Sequence, residues 1–246
     1  MKKMKKSIAI AIFLASFLSF SGMAQDLNLD EILNKYHQTM GIDKMKEWKA
    51  FTATGKFISQ GMELPFMSYQ KRPGKIRFEL EIQGNKMLRV FDGQAGWAVA
   101  PWSGSMDPQD MTPDEVKAMK EQTDFEGPLF NWKEKGHKVE LIGKEDMQGT
   151  PVYKIKAILS DGNVETHYID AENFVTLKVS SVTKIQGNDV ESDTYTSNYK
   201  EVQGVLMPFA MESKYNGETG ERMVIEKYEI NPGINDSLFV KPAKKK

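Results

Sequence analysis

The sequence predicts a mainly β protein with a few helices. Its architecture is a curved antiparallel sheet of about eleven strands, forming an unclosed β-barrel with a helical lid. Three observations carry this. Apolar residues alternate without a break in Lys75-Ile76-Arg77-Phe78-Glu79-Leu80-Glu81-Ile82, the period of a strand with one buried face. Turn residues recur at Pro73-Gly74, Gly84-Asn85, Asp92-Gly93, Gly149, Asp161-Gly162-Asn163, Gly187-Asn188, Gly204 and Asn216-Gly217, as in a meander of tight hairpins. Helical spacing is confined to one longer and one shorter segment, so a sheet this large must curl and use the helices to cover its open side.

In chain order, residues 1–24 read as a cleavable secretory signal. Lys2, Lys3, Lys5 and Lys6 precede an apolar run from Ile8 to Phe20, closed by Ser21-Gly22-Met23-Ala24. The run is shorter than the about 20 residues a membrane span needs. The exported domain is expected to be a single unit over residues 25–246. A helix over Leu27 to Met40 follows from Leu29, Ile32, Leu33, Tyr36 and Met40, with Asn28 or Asp26 as cap and Gly41 as stop. A short turn from Ile42 to Trp48 leads into the strands. The exception to the meander is residues 101–136, where Thr112-Pro113-Asp114-Glu115 has capping-box spacing and starts a short helix running to about Lys120.

Composition excludes several classes. Removing residues 1–24 takes four lysines from the 33 basic residues and leaves 29 against 34 acids, a net charge of −5 that argues against nucleic acid as a partner. With no cysteine there are no disulfides, thiol catalysis or thiolate metal sites, and no N-terminal cysteine to acylate. The expected product is exported, soluble and not lipid-anchored. Lys244-Lys245-Lys246 reads as a solvated end.

No metalloprotease, nucleophile-elbow, phosphate-loop or dinucleotide pattern is present, and His37, His137 and His167 lie far apart. Glu165 and His167, two apart near Asp170, are the residues best suited to acid–base or zinc chemistry. A solvated strand face explains them as well, and no catalytic residue, metal or cofactor is assigned. What stands out is apolar and adaptable: Met87, Met106, Met111 and Met119 lie near Trp97, Trp102, Phe125, Phe130 and Trp132. Unbranched thioethers and large rings suit a pocket for flexible chains, although core filling accounts for any one of them.

Lys71-Arg72-Pro73-Gly74-Lys75-Ile76-Arg77-Phe78-Glu79 and Val90-Phe91-Asp92-Gly93-Gln94-Ala95-Gly96-Trp97 resemble the strand start and hairpin of the family of LolA, the periplasmic lipoprotein carrier. Tyr168 to Asn173, Asn198 to Phe209 and Asn231 to Pro242 are similar to a wider set of outer-membrane lipoprotein-sorting proteins, as is the turn from Gly41 to Met45. The resemblance implies an unclosed barrel whose apolar face shields acyl chains of a lipoprotein or another lipid during transfer between membranes. Such a chaperone of outer-membrane biogenesis would be a monomer, would use no cofactor, and would meet an inner-membrane donor and an outer-membrane acceptor. It also implies that Arg72 holds the lid and governs cargo release. The expected ligand wall is Ile76, Phe78 and Leu80, then Phe91, Trp97, Trp102, Met111 and Met119; the alternative is the opposite face, where Arg77 and Glu79 would line the cavity and count against lipid tails. The alternative on the same fold is a non-enzymatic envelope sensor or protein-interaction domain.

Overall fold

A computed structural model describes residues 27–185 and 188–243. The signal expected over residues 1–24, Asp26, Gly187 and the three final lysines lie outside the described residues.

The strands are β1 (Ala50–Ser59), β2 (Met62–Lys71), β3 (Lys75–Ile82), β4 (Asn85–Phe91), β5 (Gly96–Val99), β6 (Gln109–Asp110), β7 (Lys138–Met147), β8 (Thr150–Ile158), β9 (Val164–Asp170), β10 (Thr176–Ile185), β11 (Asn188–Val202), β12 (Val205–Tyr215) and β13 (Glu218–Ile230). They form one antiparallel sheet in the order β6-β5-β4-β3-β2-β1-β13-β12-β11-β10-β9-β8-β7. Every neighbour is consecutive in sequence except β1 and β13, which pair from Phe51 opposite Ile230 to Ser59 opposite Glu221. The barrel is unclosed, with β6 and β7 as its edges.

Among the described residues the sheet has 13 strands, more than expected. One extra is the two-residue β6, within a segment whose Pro and Gly content reads as irregular. Turn chemistry is the other reason. Gln60-Gly61, Gln83-Gly84, Gln148-Gly149, Gln203-Gly204 and Asn216-Gly217 all place both residues at positive φ, the first of each pair at 49–55°. That is the two-residue hairpin geometry matched to strand twist, which Asn or Asp usually starts. Glutamine at the first position disguises the β1–β2 hairpin in particular.

Both expected helices form. Helix α1 (Leu29–Met40) has Asn28 as its cap in a complete capping box with Glu31, and Gly41 ends it at φ 70°. Its buried Ile32 and Leu33 pack on Val139, Tyr153, Ile155, Ala157 and Ile169 of β7, β8 and β9. A 3-10 turn (Ile42–Glu47) then places Met45, with Trp48 after it, over Phe51, Val205 and Phe209. Helix α2 (Pro113–Glu121) has the Thr112–Glu115 capping box, and its buried Met119 packs with Met111 on Ile76 and Phe91. The two helices cover opposite ends of the same inner face. The chain after β13 instead crosses the outer face, where Ile234, Leu238 and Phe239 cover Val90, Trp97 and Val99.

Candidate functional site: an apolar inner face between two helices

Strand register decides which side chains share the inner face. Ile76, Phe78 and Leu80 of β3 stand opposite Gln70, Ser68 and Phe66 of β2, and opposite Phe91, Arg89 and Met87 of β4. Phe57 stands opposite Leu64 on one side and Met223 on the other, and Met223 is opposite Met211. The helices, Met45, Trp48 and Phe125 seal part of this surface. Phe57, Leu64, Phe78, Ile82, Met87, Met211 and Met223 remain only half-buried around a core that includes Phe66, Leu80, Phe209 and Ile225. Met62, on the same face at the β1–β2 turn, is 49% exposed. The rings interlock: Phe66 stacks on Phe78 at 5.7 Å, and Phe57 meets Phe78 edge-on at 6.5 Å. The result is an open groove of phenylalanine, leucine and methionine, which can repack around flexible apolar chains.

The predicted wall residues separate into groups. Phe78 lines the groove, and Leu80, 4% exposed, packs in the core beneath it. Ile76, Phe91, Met111 and Met119 come together at one end, already sealed beneath α2. Trp97 lies on the outer face, 2% exposed, and its Nε1 donates to the carbonyl of Phe239 at 3.1 Å. It anchors the C-terminal segment and not the groove, because β5 places Trp97 opposite Val90 while its neighbours Gly96 and Ala98 face inward. Trp102, in a 3-10 turn after β5, is 69% exposed and belongs to neither face. Phe57, Leu64, Met87, Met211 and Met223 are groove residues absent from the expected wall. The alternation of Met207, Phe209 and Met211, and of Met223 and Ile225, was the available signal.

Arg72 sits where the end of β2 meets both covering segments. Its Nε donates to the Trp48 carbonyl at 2.9 Å, and its Nη2 to the Met45 carbonyl at 3.3 Å and to Glu126 Oε1 at 2.7 Å. The guanidinium also lies over the Phe125 ring, 4.4 Å from its centroid. One side chain thus ties the turn after α1 to the segment after α2. Only a forked, planar cation can make these contacts together.

A second polar junction connects α2 to the turn between β8 and β9, near the opposite edge of the sheet. Lys117 Nζ reaches Asp161 Oδ2 at 3.3 Å and Asn163 Oδ1 at 3.0 Å, while Asn163 Nδ2 donates to Glu121 Oε1 at 2.5 Å. Lys117, Glu121 and Asp161 border a cavity of about 490 Å³ that also meets Thr123, His137 and Glu165. Burial, then hydrogen bonding to Asp161 and its charge, push the Glu121 carboxyl up to about 7.

Glu165 and His167 do pair, at 2.9 Å, but His167 is 5% exposed, so the solvated-face expectation is corrected for the imidazole. Register carries both residues onto the inner face, opposite Ala157 and Ile155. Asp170 is not part of the pair. It points the other way along β9 and accepts from the backbone N–H groups of Glu172 and Asn173, fixing the next turn. Among the described residues no three His, Asp or Glu side chains are placed to hold a metal ion.

Solved structures share this fold across most of both chains. A DUF1329 family protein from Desulfovibrio piger matches with a TM-score of 0.58 at 12% identity, covering 85% of this chain and 97% of that one. A LolA superfamily protein from Nitrosomonas europaea matches with a TM-score of 0.57 at 12% identity, covering 88% and 99%. A putative outer membrane lipoprotein-sorting protein domain from Vibrio parahaemolyticus matches with a TM-score of 0.55 at 11% identity, covering 84% and 95%. No family profile and no curated protein sequence matches the chain. The resemblance read from the sequence is therefore a likeness of fold, to LolA-superfamily and lipoprotein-sorting domains.

Proposed function

We propose that this LolA-like half-barrel is a periplasmic carrier, which shields the acyl chains of a lipoprotein or another lipid while they cross water between membranes. The observation that carries the reading is the half-buried groove of Phe57, Leu64, Phe78, Met87, Met211 and Met223 on the helix-covered face. The fold shared with lipoprotein-sorting and LolA-superfamily domains supports it. Residues 1–24, read as an export signal, supply the compartment, and no helix among the described residues is long and apolar enough to cross a membrane.

The physical task is large. Exposing one methylene costs about 0.8 kcal/mol, so a lipid with three acyl chains of about 16 carbons resists water by tens of kcal/mol. The membrane shields those chains equally well. Loading and unloading therefore turn on a small difference between two large quantities, and a loose methionine-rich groove keeps that difference small. No covalent step or cofactor is required. An inner-membrane donor supplies any energy of extraction, and an outer-membrane acceptor takes the cargo. In this scheme the carrier works as a monomer, and Arg72, which ties the covering segments together, is needed for cargo release.

Native mass spectrometry of the exported protein, purified gently from a bacterial envelope and then extracted with organic solvent, tests the proposal. Co-purifying acylated species are the expected result. A bare protein mass that also fails to take up added lipid would overturn it and favour the envelope sensor or protein-interaction domain.

A further inference from the structure

The inner positions of β1 to β5 carry one charged residue. Read by register they are Phe51, Ala53, Gly55, Phe57 and Ser59; Met62, Leu64, Phe66, Ser68 and Gln70; Ile76, Phe78, Leu80 and Ile82; Asn85, Met87, Arg89 and Phe91; Gly96 and Ala98. Arg89 is half-buried, directly between Phe78 and Ala98.

The chain has four arginines, and the other three have acids within 4 Å. Arg72 pairs with Glu126 at 2.7 Å, Arg77 with Glu79 at 2.7 Å and Arg222 with Glu212 at 3.8 Å. Arg89 has no hydrogen bond or ion pair with any described residue. Its field reaches Glu115, but that carboxylate is already engaged by the Thr112 backbone N–H at 2.8 Å and hydroxyl at 2.9 Å. A guanidinium set into an apolar wall is costly unless an anion meets it. Its planar fork matches a carboxylate or phosphate bidentately.

We infer that the groove takes an amphiphile with an anionic head, a carboxylate or phosphate bound by Arg89, while its acyl chains run over Phe78, Leu80 and Met87. This inference rests on the carrier reading and narrows its cargo.

The test is displacement of the neutral fluorophore N-phenylnaphthylamine from the delipidated exported protein. Four competitors are used: palmitate, methyl palmitate, dipalmitoyl phosphatidic acid and dipalmitoylglycerol. At least one charged lipid is expected to displace the probe at about tenfold lower concentration than its uncharged counterpart, the range of one charge-assisted hydrogen-bonded contact. Preference within the palmitate pair assigns a carboxylate head, and preference within the glycerolipid pair a phosphate. Arg89→Gln is expected to bring the ratio to about one, and Arg89→Lys to keep part of it; circular dichroism checks the fold of each variant. Equal displacement by both members of both pairs in the wild-type protein, or an undiminished ratio in folded Arg89→Gln, overturns the inference and leaves the carrier reading standing. Failure of the probe and all four lipids to bind removes both.

Discussion

Leu80 is the residue on which the groove can be tested most directly. It is 4% exposed at the centre of the inner face, between Phe66 and Met87. Leu80→Glu places a carboxylate on the inner face, diagonal to Arg89 across β3 and β4, and lipid uptake is expected to be abolished, because the charge lies under the acyl chains and competes for Arg89. The substitution also costs stability, by about 2–5 kcal/mol. Leu80→Ala separates the two effects: a comparable loss of stability with residual uptake shows that charge, and not unfolding, blocks the ligand. Arg72 is a different kind of residue. Its contacts are two backbone carbonyls, Glu126 and the Phe125 ring, so Arg72→Leu is expected to keep lipid binding and slow release to acceptor vesicles. Arg72→Lys is expected to rescue little, since an ammonium cannot reproduce the fork. Wild-type release rates in both variants would remove Arg72 from the mechanism.

Among the elements, α2 bridges two separate parts of the sheet. It lies on β4 and β5 through Met119 and Val116, and it reaches the β8–β9 turn through polar side chains. Glu121 is raised to about 7, chiefly by burial, then by Asp161; Lys117 opposes the shift and Glu165 adds to it. A carboxyl raised in the folded protein contributes its full stability below its unfolded value, about 4.3. That contribution falls as pH rises toward 7, where the folded protein must give up a proton the unfolded chain has already lost. Hydrogen exchange over residues 113–121 is therefore expected to quicken between about pH 5 and 8 relative to the sheet. Glu121→Gln should flatten that dependence. An unchanged pH profile in the variant would show that Glu121 does not govern how firmly α2 is held. The helix itself depends on its cap, and Thr112→Ala is expected to weaken it by about 1 kcal/mol, seen as faster exchange in the same segment.

In the molecule as a whole, the outer face around β4 and β5 is covered by the chain after β13. Trp97 is buried against Phe239, and Arg77 donates to the Leu238 carbonyl at 2.7 Å while pairing with Glu79. Burial pushes the Glu79 carboxyl up, but its bonds to Lys86 and Arg77 prevail and hold it below its ordinary value. Trp97→Ala is expected to cost about 3–5 kcal/mol, read as a lowered melting temperature, with lipid affinity unchanged below the transition. A loss of affinity in the folded variant would mean that the outer face communicates with the groove. The free edge strand β7 carries exposed Lys138, Glu140, Lys144 and Glu145, charges that discourage edge-to-edge pairing between copies.

Fold class, both helices, the Thr112–Glu115 capping box and the shared face of Ile76, Phe78 and Leu80 are legible in the amino-acid order alone, whereas the side to which that face turns is not. Period and capping chemistry are local properties, complete within a few neighbouring residues. Strand pairing supplied what a single strand cannot encode. Trp97 and Gly96 are adjacent, yet pairing puts them on opposite faces, and only the returning tail explains a buried tryptophan on the outside. The groove unites Phe57, Phe78, Met87, Met211 and Met223 because β1 pairs with β13, joining segments far apart in the chain. Arg89 is unpartnered among the described residues, and this too only the tertiary structure decided, since whether a charge finds a counter-ion depends on which strands and helices pack beside it.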